Sequence, residues 1–428
     1  MLSSGVKHIV VIGGGFAGLN FIKALANNKH YTITLVDKNN YNQFTPLVYQ
    51  VATGFLEPSN ISYPFRKFLR RRNNIRFHLG ELKSISAKEH LVYLNNATLH
   101  YDYLVLAIGS VSNYFGNDVL KQNTIAMKTL TDALSMRNVL LQSLEEACNT
   151  NDDAQRKKLL TIVVAGGGPT GVEVSGMLGE MRKFIIQKDY PELKNAMGDI
   201  YIVDGAKTLL SQMGEQSQRD AMHTLEKLGV KIITNTFINS YDNDEVKLSN
   251  GNSIQTKNLI WAAGVTGNVI AGIPATAYGR GKRIIVDEYN HVAELDDVFA
   301  IGDNCLLTTD KKFPNGHPQL AQPAIQQGKH LAKNFIALAK EKAMEPFIYY
   351  DKGVMAIIGK NKAVVDLTKP KMHVKGFAAL LIWLFIHIVS LIAFDNKLKT
   401  LYNWVIAYFT KDQSLRMVIK TDDETASK

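Results

Sequence analysis

Cysteine is almost absent: Cys148 and Cys305 are the only two among 428 residues. Two thiols cannot build a disulfide scaffold or a four-cysteine metal site, no metal site is expected, and such scarcity fits a reducing compartment. The chain also lacks a comfortable membrane span. With 46% hydrophobic residues and a mean hydropathy of −0.07 it is not a polytopic membrane protein. Charge of one sign is not abundant either. A net charge of +10 is too modest, spread over this length, to argue for nucleic acid. Charged residues at 21% beside ample Phe, Tyr, Leu and Ile exclude a disordered chain. No secretory or Arg/Ser-rich leader is legible in Met1–Val6, so the body is expected on the cytoplasmic face of a cell inner membrane. The length allows two or three domains.

What is present repeats. The apolar run His8–Ile12 leads into Gly13-Gly-Gly-Phe-Ala-Gly18, a helical stretch through Ala26, and a second apolar run, Tyr31–Val36, closed by Asp37. The order returns as Thr161–Ala165, Gly166-Gly-Gly-Pro-Thr-Gly171, a helix through about Gln187, then Ile200–Val203 and Asp204. Gly166 stands 153 residues after Gly13, one domain length. In such a unit the first glycine permits a tight turn and the second lets the backbone approach a pyrophosphate. The third allows close helix packing, and the helix N-terminus offers N–H groups and its dipole to the phosphates. Gly13, Gly15 and Gly18 match these roles, as do Gly168 and Gly171 with Gly166. Asp37, 19 residues after Gly18, stands where a carboxylate takes ribose hydroxyls. Asp204 follows Gly171 by 33 residues, the excess lying in the polar stretch Lys188–Asp199. A carboxylate there repels a 2′-phosphate and favours NADH over NADPH, although the nearby Lys207 weakens that inference. A strand-end Asp facing water is the alternative.

Further strands are expected at Tyr103–Ile108 before Gly109, at Asn258–Ala263 before Gly264, and at Val298–Ile301 entering Gly302-Asp303. A helix over 131–154 would bridge the halves, and another runs over 321–340. A carboxylate beside a glycine after a short strand suits a ribityl chain. Two dinucleotide sites imply that one ligand delivers a hydride and the other receives it. The expected fold is α/β: two Rossmann-like dinucleotide-binding domains and a C-terminal amphipathic helical membrane-anchoring region. The divisions fall at 1–125 and 279–370 for the domain of the first turn, 126–278 for that of the second, and 371–428 for the anchor.

These residues resemble the flavoprotein reductases with two dinucleotide-binding domains. Within them the chain is most similar to the type II NADH dehydrogenases, single-subunit NADH:quinone oxidoreductases. The likeness covers nearly the whole sequence, through Asn40–Thr53, Gly168–Glu173, Trp261–Val265, Ala321–Gly328 and Gly376–Thr410. The Ala-Gln-x-Ala-x-Gln element at Ala321–Gln326 carries it most specifically. The resemblance implies FAD in the first domain and NADH in the second, with Gly13, Gly15, Gly18, Asp37, Gly109, Gly302, Asp303 and Ala321 holding non-covalent FAD. It implies NADH on Gly168, Gly171, Asp204 and Gly264, and a membrane quinone, menaquinone or ubiquinone, on Gln322, Ile325 and Gln326. Lys360 and Lys362 are candidates for the pocket rim. Glu173, read as first-turn, implies proton delivery, the alternative being a helix-start Glu favoured by the dipole. A homodimer is also implied. Asp occupies strand ends where the family commonly has Glu, and no calcium-binding insertion is present.

Phe377–Phe394 is apolar except for His387 and Ser390, and at 1.5 Å per residue its length of about 27 Å falls just short of a span. Beyond it Leu398, Leu401, Tyr402, Val405, Ile406 and Phe409 share one helical face, with Lys399 and Asn403 opposite. Lys371–Lys420 carries seven Lys/Arg against Asp395 and Asp412, which suits an anionic lipid surface and monotopic attachment. A second basic cluster, Arg66 to Arg72, reads as a solvated face. A sulfide:quinone oxidoreductase, which would need Cys148 and Cys305 at the flavin, and an NAD- and flavin-binding sensor or scaffold are the alternative functions. A soluble disulfide reductase is excluded for want of a closely spaced cysteine pair.

Overall fold

The computed structural model describes residues 5–194, 196, 198–410 and 416–418. Lys411, Asp412 and Lys420 of the basic stretch, and the tail after Thr421, lie outside them. The chain divides into two compact units. One takes the chain up to Asn42, Tyr63–Val111 and Val265–Asp351; the other takes Gln43–Ser62, Ser112–Gly264 and the chain from Lys352.

The first unit is built on a parallel five-stranded sheet in the order Val298–Ala300, Tyr103–Leu106, Lys7–Ile12, Tyr31–Asp37, Ile75–Leu79. Its central strands are continuous runs of β-branched and aliphatic residues because helices cover a parallel sheet. Ile9, Val10, Val11, Leu35 and Leu104 are fully buried. The helix Phe16–Ala24 packs on the helix Ala321–Leu338. Gly328 makes that packing close, since a Cβ there would stand 2.2 Å from the Ala17 carbonyl oxygen. Phe21 and Phe335 meet edge to face at 5.3 Å.

The second unit repeats the plan, with a parallel sheet ordered Ile125–Ala126, Asn258–Trp261, Ile162–Ala165, Ile200–Val203, Val230–Ile233. The expected single helix over 131–154 is two, Leu130–Asn149 and Asp153–Leu160. Asp152 causes the break by accepting the Ala154 amide at 2.9 Å as an N-cap. The long path from Gly171 to Asp204 is mostly helical: Pro169–Met181 continues as one π-helical turn, Arg182–Ile186, and then short turns. An antiparallel sheet, Val354–Gly359, Lys362–Leu367 and Met372–Lys375, follows, and then the helices Gly376–Ser390 and Phe394–Thr410.

Among the described residues no helix is long and apolar enough to cross a membrane. The last helix is amphipathic in an inverted sense. Its polar residues at positions i, i+4 and i+8 point inward: Asn396 donates to the Asn60 and Ser62 carbonyls at 3.0 and 2.9 Å, and Thr400 to Asn60 at 3.3 Å. The Trp404 indole donates to the Gln50 side chain at 2.7 Å. Phe394, Leu398, Leu401, Tyr402, Val405 and Phe409 are left exposed, as are Phe377, Leu381, Phe385 and Val389 of the preceding helix. Gln43–Ser62, expected with the first domain, groups with the second unit: its helix Val48–Ala52 packs on Leu130–Asn149, and its carbonyls seat the C-terminal helix.

Candidate functional site

Each unit carries one glycine turn, and the two are built alike. In the first, Gly13 has φ +102°, and a Cβ there would lie 2.3 Å from the Ala107 carbonyl oxygen. Gly18 presses on the turn itself, 2.0 Å from the Gly13 carbonyl by the same measure. A Cβ on Gly15, which caps the helix Phe16–Ala24, would meet nothing within 4 Å. In the second, Gly166 has φ +108°, and its Cβ would stand 2.4 Å from Ala262 O. A Cβ on Gly171 would lie 1.8 Å from Gly166 O, and Gly168 faces open space. The outer glycines close the turn, and the middle one leaves room for a phosphate at a helix N-terminus. The residues thus fit a dinucleotide in each unit.

Asp37 and Asp204 also share a role that spacing did not reveal. Asp37 accepts the Gly14 amide at 2.7 Å and the Asn39 amide at 2.8 Å. Asp204 accepts the amides of Gly167 and Ala206, the latter at 2.6 Å. Each carboxylate therefore fixes the glycine turn and keeps further acceptor capacity for a ribose. Burial pushes the Asp37 carboxyl up, with the two amide bonds opposing.

Gly302 (φ +82°) and Asp303 lie in a short helical turn after Val298–Ala300. Ser110 donates to Asp303 Oδ2 at 2.7 Å, and Gln319 to its carbonyl at 2.9 Å. The Gly302 amide donates to Gln327 at 2.6 Å. Gln327 is fully buried and was not singled out in the sequence, where three glutamines in close succession conceal it. Gly109 (φ +70°) and Gly264 (φ +107°) end their strands over open space. Ala321 begins the helix carrying Gln322 and Ile325, both half-buried. Gln326 is engaged with protein: its amide donates to Tyr350 O at 2.9 Å and accepts Tyr350 N at 3.0 Å.

Glu173 is the fifth residue of the helix Pro169–Met181, on its second turn rather than the first, so the helix dipole does not account for it. It faces inward. Gly176, one turn on, brings the helix onto the strand Val354–Gly359, where a Cβ would lie 1.9 Å from Ile358 O. Burial pushes the Glu173 carboxyl up to about 8, opposed by the Ile357 amide at 3.4 Å and the Trp383 indole. Tyr49, fully buried, is raised by burial and then by the charge of Glu173. Gln50 donates to the Tyr49 hydroxyl at 3.2 Å and accepts from Trp404. His387 is held neutral, lowered to about 4 by burial, and its Nδ1 bonds the Trp383 carbonyl at 2.7 Å. Because a carbonyl only accepts, Nδ1 carries the proton.

Beside these groups is a mainly apolar, solvent-open cavity lined among others by Gln50, Met177, Lys360, Trp383, Leu384 and Trp404. Lys360 donates to the Tyr408 carbonyl at 2.7 Å on its wall; Lys362 is not in the lining. The thiols are poor redox candidates. Burial raises Cys305 to about 12, and Cys148, in the other unit, is raised as well.

Two dinucleotide turns on parallel sheets, followed by the Gly302-Asp303 turn, define a flavoprotein reductase of the pyridine nucleotide-disulphide oxidoreductase class. The family of that description matches residues 7–328, and one described as the NDH2 C-terminal domain matches 352–412. The chain belongs to the type II NADH:quinone oxidoreductases. It is 35% identical to NdhA of Mycobacterium tuberculosis, a type II NADH:quinone oxidoreductase, over 94% of this chain and 87% of that one. To Ndh of the same organism, likewise so named, it is 32% identical over 94% and 88%. Its fold matches NDH2 from Plasmodium falciparum, solved with NADH, at TM-score 0.88 and 22% identity over 97% of this chain and all of that one. The sulfide:quinone oxidoreductase of Aquifex aeolicus shares the fold at TM-score 0.71 and 20% identity, over 95% and 96%.

Proposed function

We propose that the chain oxidises NADH and reduces a membrane quinone to quinol through one non-covalent FAD, without pumping protons. The observation that carries this reading is the pair of glycine turns, each open at its middle residue. FAD, when bound, supplies a two-electron carrier between the substrates. Gly13, Gly15, Gly18, Asp37, Gly109, Gly302, Asp303 and Ala321 bind it. Gly168, Gly171, Asp204 and Gly264 bind NADH. Gln322 and Ile325 take the quinone ring, while Gln326 fixes the Tyr350 backbone beside their helix. Glu173, protonated at neutral pH, supplies a proton for the quinol. Replacing Gln322 by Ala should slow re-oxidation by quinone about tenfold and leave reduction by NADH unchanged in anaerobic stopped-flow traces. Slowing of the NADH step alone would reverse the assignment.

The exposed apolar face of the two C-terminal helices, flanked by Lys371, Lys375, Lys397 and Lys399, lies on an anionic lipid surface at the cytoplasmic side of the inner membrane, and two copies form a homodimer. Flotation should show binding to vesicles containing anionic lipid, and Phe385→Glu with Phe409→Glu should abolish it while leaving NADH oxidation by a water-soluble acceptor intact. Undiminished flotation of that variant would place the lipid contact elsewhere.

A further inference from the structure

Phe237 is a large aromatic residue left 65% exposed, and it is held in place. The loop that carries it follows the strand Val230–Ile233 and crosses the turn after Asp204. Thr236 N donates to Asp204 O at 3.1 Å, and Asn235 N to Ala206 O at 2.9 Å. Phe237 itself is clamped by Ser249, whose hydroxyl accepts the Phe237 amide at 2.9 Å and whose amide donates back at 2.9 Å. Its ring lies against Gly205, the residue directly after the ribose-binding carboxylate. A Cβ on Gly205 would stand 2.1 Å from the ring's Cε1 and 2.5 Å from its Cζ. The ring thus occupies the place of the side chain that position 205 does not have.

A ring that merely covered backbone would bury itself further, and an aliphatic side chain at 205 would do that work without an exposed phenyl. The pairing of a glycine with an outward ring instead makes a rigid, flat apolar surface beside Asp204. In a bound dinucleotide the base is attached to the ribose carbon next to the one bearing the 2′-hydroxyl. A carboxylate that takes that hydroxyl therefore sets the base within a ring's width of Gly205. We propose that Phe237 is the stacking platform for the adenine of NADH. The assignment rests on the reading of the second glycine turn as the NADH site.

Base–aromatic contacts are lost measurably on truncation, so Phe237→Ala should raise KM for NADH roughly tenfold with kcat and FAD content unchanged. Phe237→Leu, which keeps the bulk without the ring, should fall between, and Phe237→Tyr should match the wild type. Reduced nicotinamide mononucleotide, which has no adenosine half, should be used equally well by the wild type and Phe237→Ala. An unchanged KM for NADH in both the Ala and Leu variants, or equal weakening of both reductants, would overturn the platform. Failure of NADH to bleach the wild-type protein would instead sink the NADH reading itself, so the two failures are distinguishable.

Discussion

Replacing Gly168 by Ala is expected to give a yellow, stably folded protein that NADH no longer bleaches. Gly168 has φ −72°, a conformation any residue adopts, and nothing lies within 4 Å of an added Cβ. The folded chain therefore tolerates the methyl group, and what it obstructs is the path of a pyrophosphate over the turn. A steric conflict of this kind costs about 2–3 kcal/mol, or roughly a hundredfold in affinity at the upper end. Gly15→Ala, at φ −76° and equally open, should do the same to the other ligand and yield a folded, colourless protein. Gly18→Ala and Gly171→Ala behave differently, because their Cβ atoms would meet backbone carbonyls at 2.0 and 1.8 Å. They should lose stability even without ligand. Urea midpoints, flavin content and NADH titrations on the four variants separate the outcomes. If Gly168→Ala binds NADH like the wild type, the open middle glycine is not where the phosphates lie.

Glu173→Gln carries the second large effect. The folded carboxyl titrates at about 8 against an ordinary value of 4.5. The folded state thus holds its proton to higher pH than the unfolded chain does. Its contribution to stability is complete below about pH 4.5 and is lost as pH rises through 8. At about 1.4 kcal/mol per pH unit the loss reaches roughly 4–5 kcal/mol above about pH 8. The amide of the variant cannot ionise, so the stability difference between variant and wild type should grow in the variant's favour from about pH 5 to about pH 9. Quinone turnover should fall about a hundredfold, the usual scale for removing a proton donor, and lose its dependence on pH near 8. A stability gap without a turnover loss would make Glu173 a structural acid and no more.

The sequence exposed the glycine turns because the outer glycines answer a local steric demand that leaves no other residue type, while the middle ones keep open space over the turn. Asp37 and Asp204 were legible as strand-end carboxylates from their spacing after the turns. Their bonds to Gly14 and Gly167 were not, since those depend on how the strand end folds back over the turn. Glu173 could be located but not understood. Burial under the strand Val354–Gly359, far along the chain, raises its carboxyl against the opposing Ile357 amide and Trp383 indole, and its place on the second helical turn removes the dipole as an explanation. The last helix shows the same limit. Leu398 to Phe409 read correctly as an apolar stripe, yet which side faced the protein was set by Asn396, Thr400 and Trp404 finding acceptors on Gln50, Asn60 and Ser62. Phe237 left no periodic signal at all. It is recognisable only beside the glycine it covers.

The most direct measurement is anaerobic mixing of the yellow protein with one equivalent of NADH, followed by a quinone in detergent. The account predicts immediate loss of the flavin's visible absorbance, release of NAD⁺, and full recovery of colour on adding quinone, with one quinol formed per NADH consumed. Colour that survives NADH, or that once lost returns with oxygen but not with quinone, would contradict it.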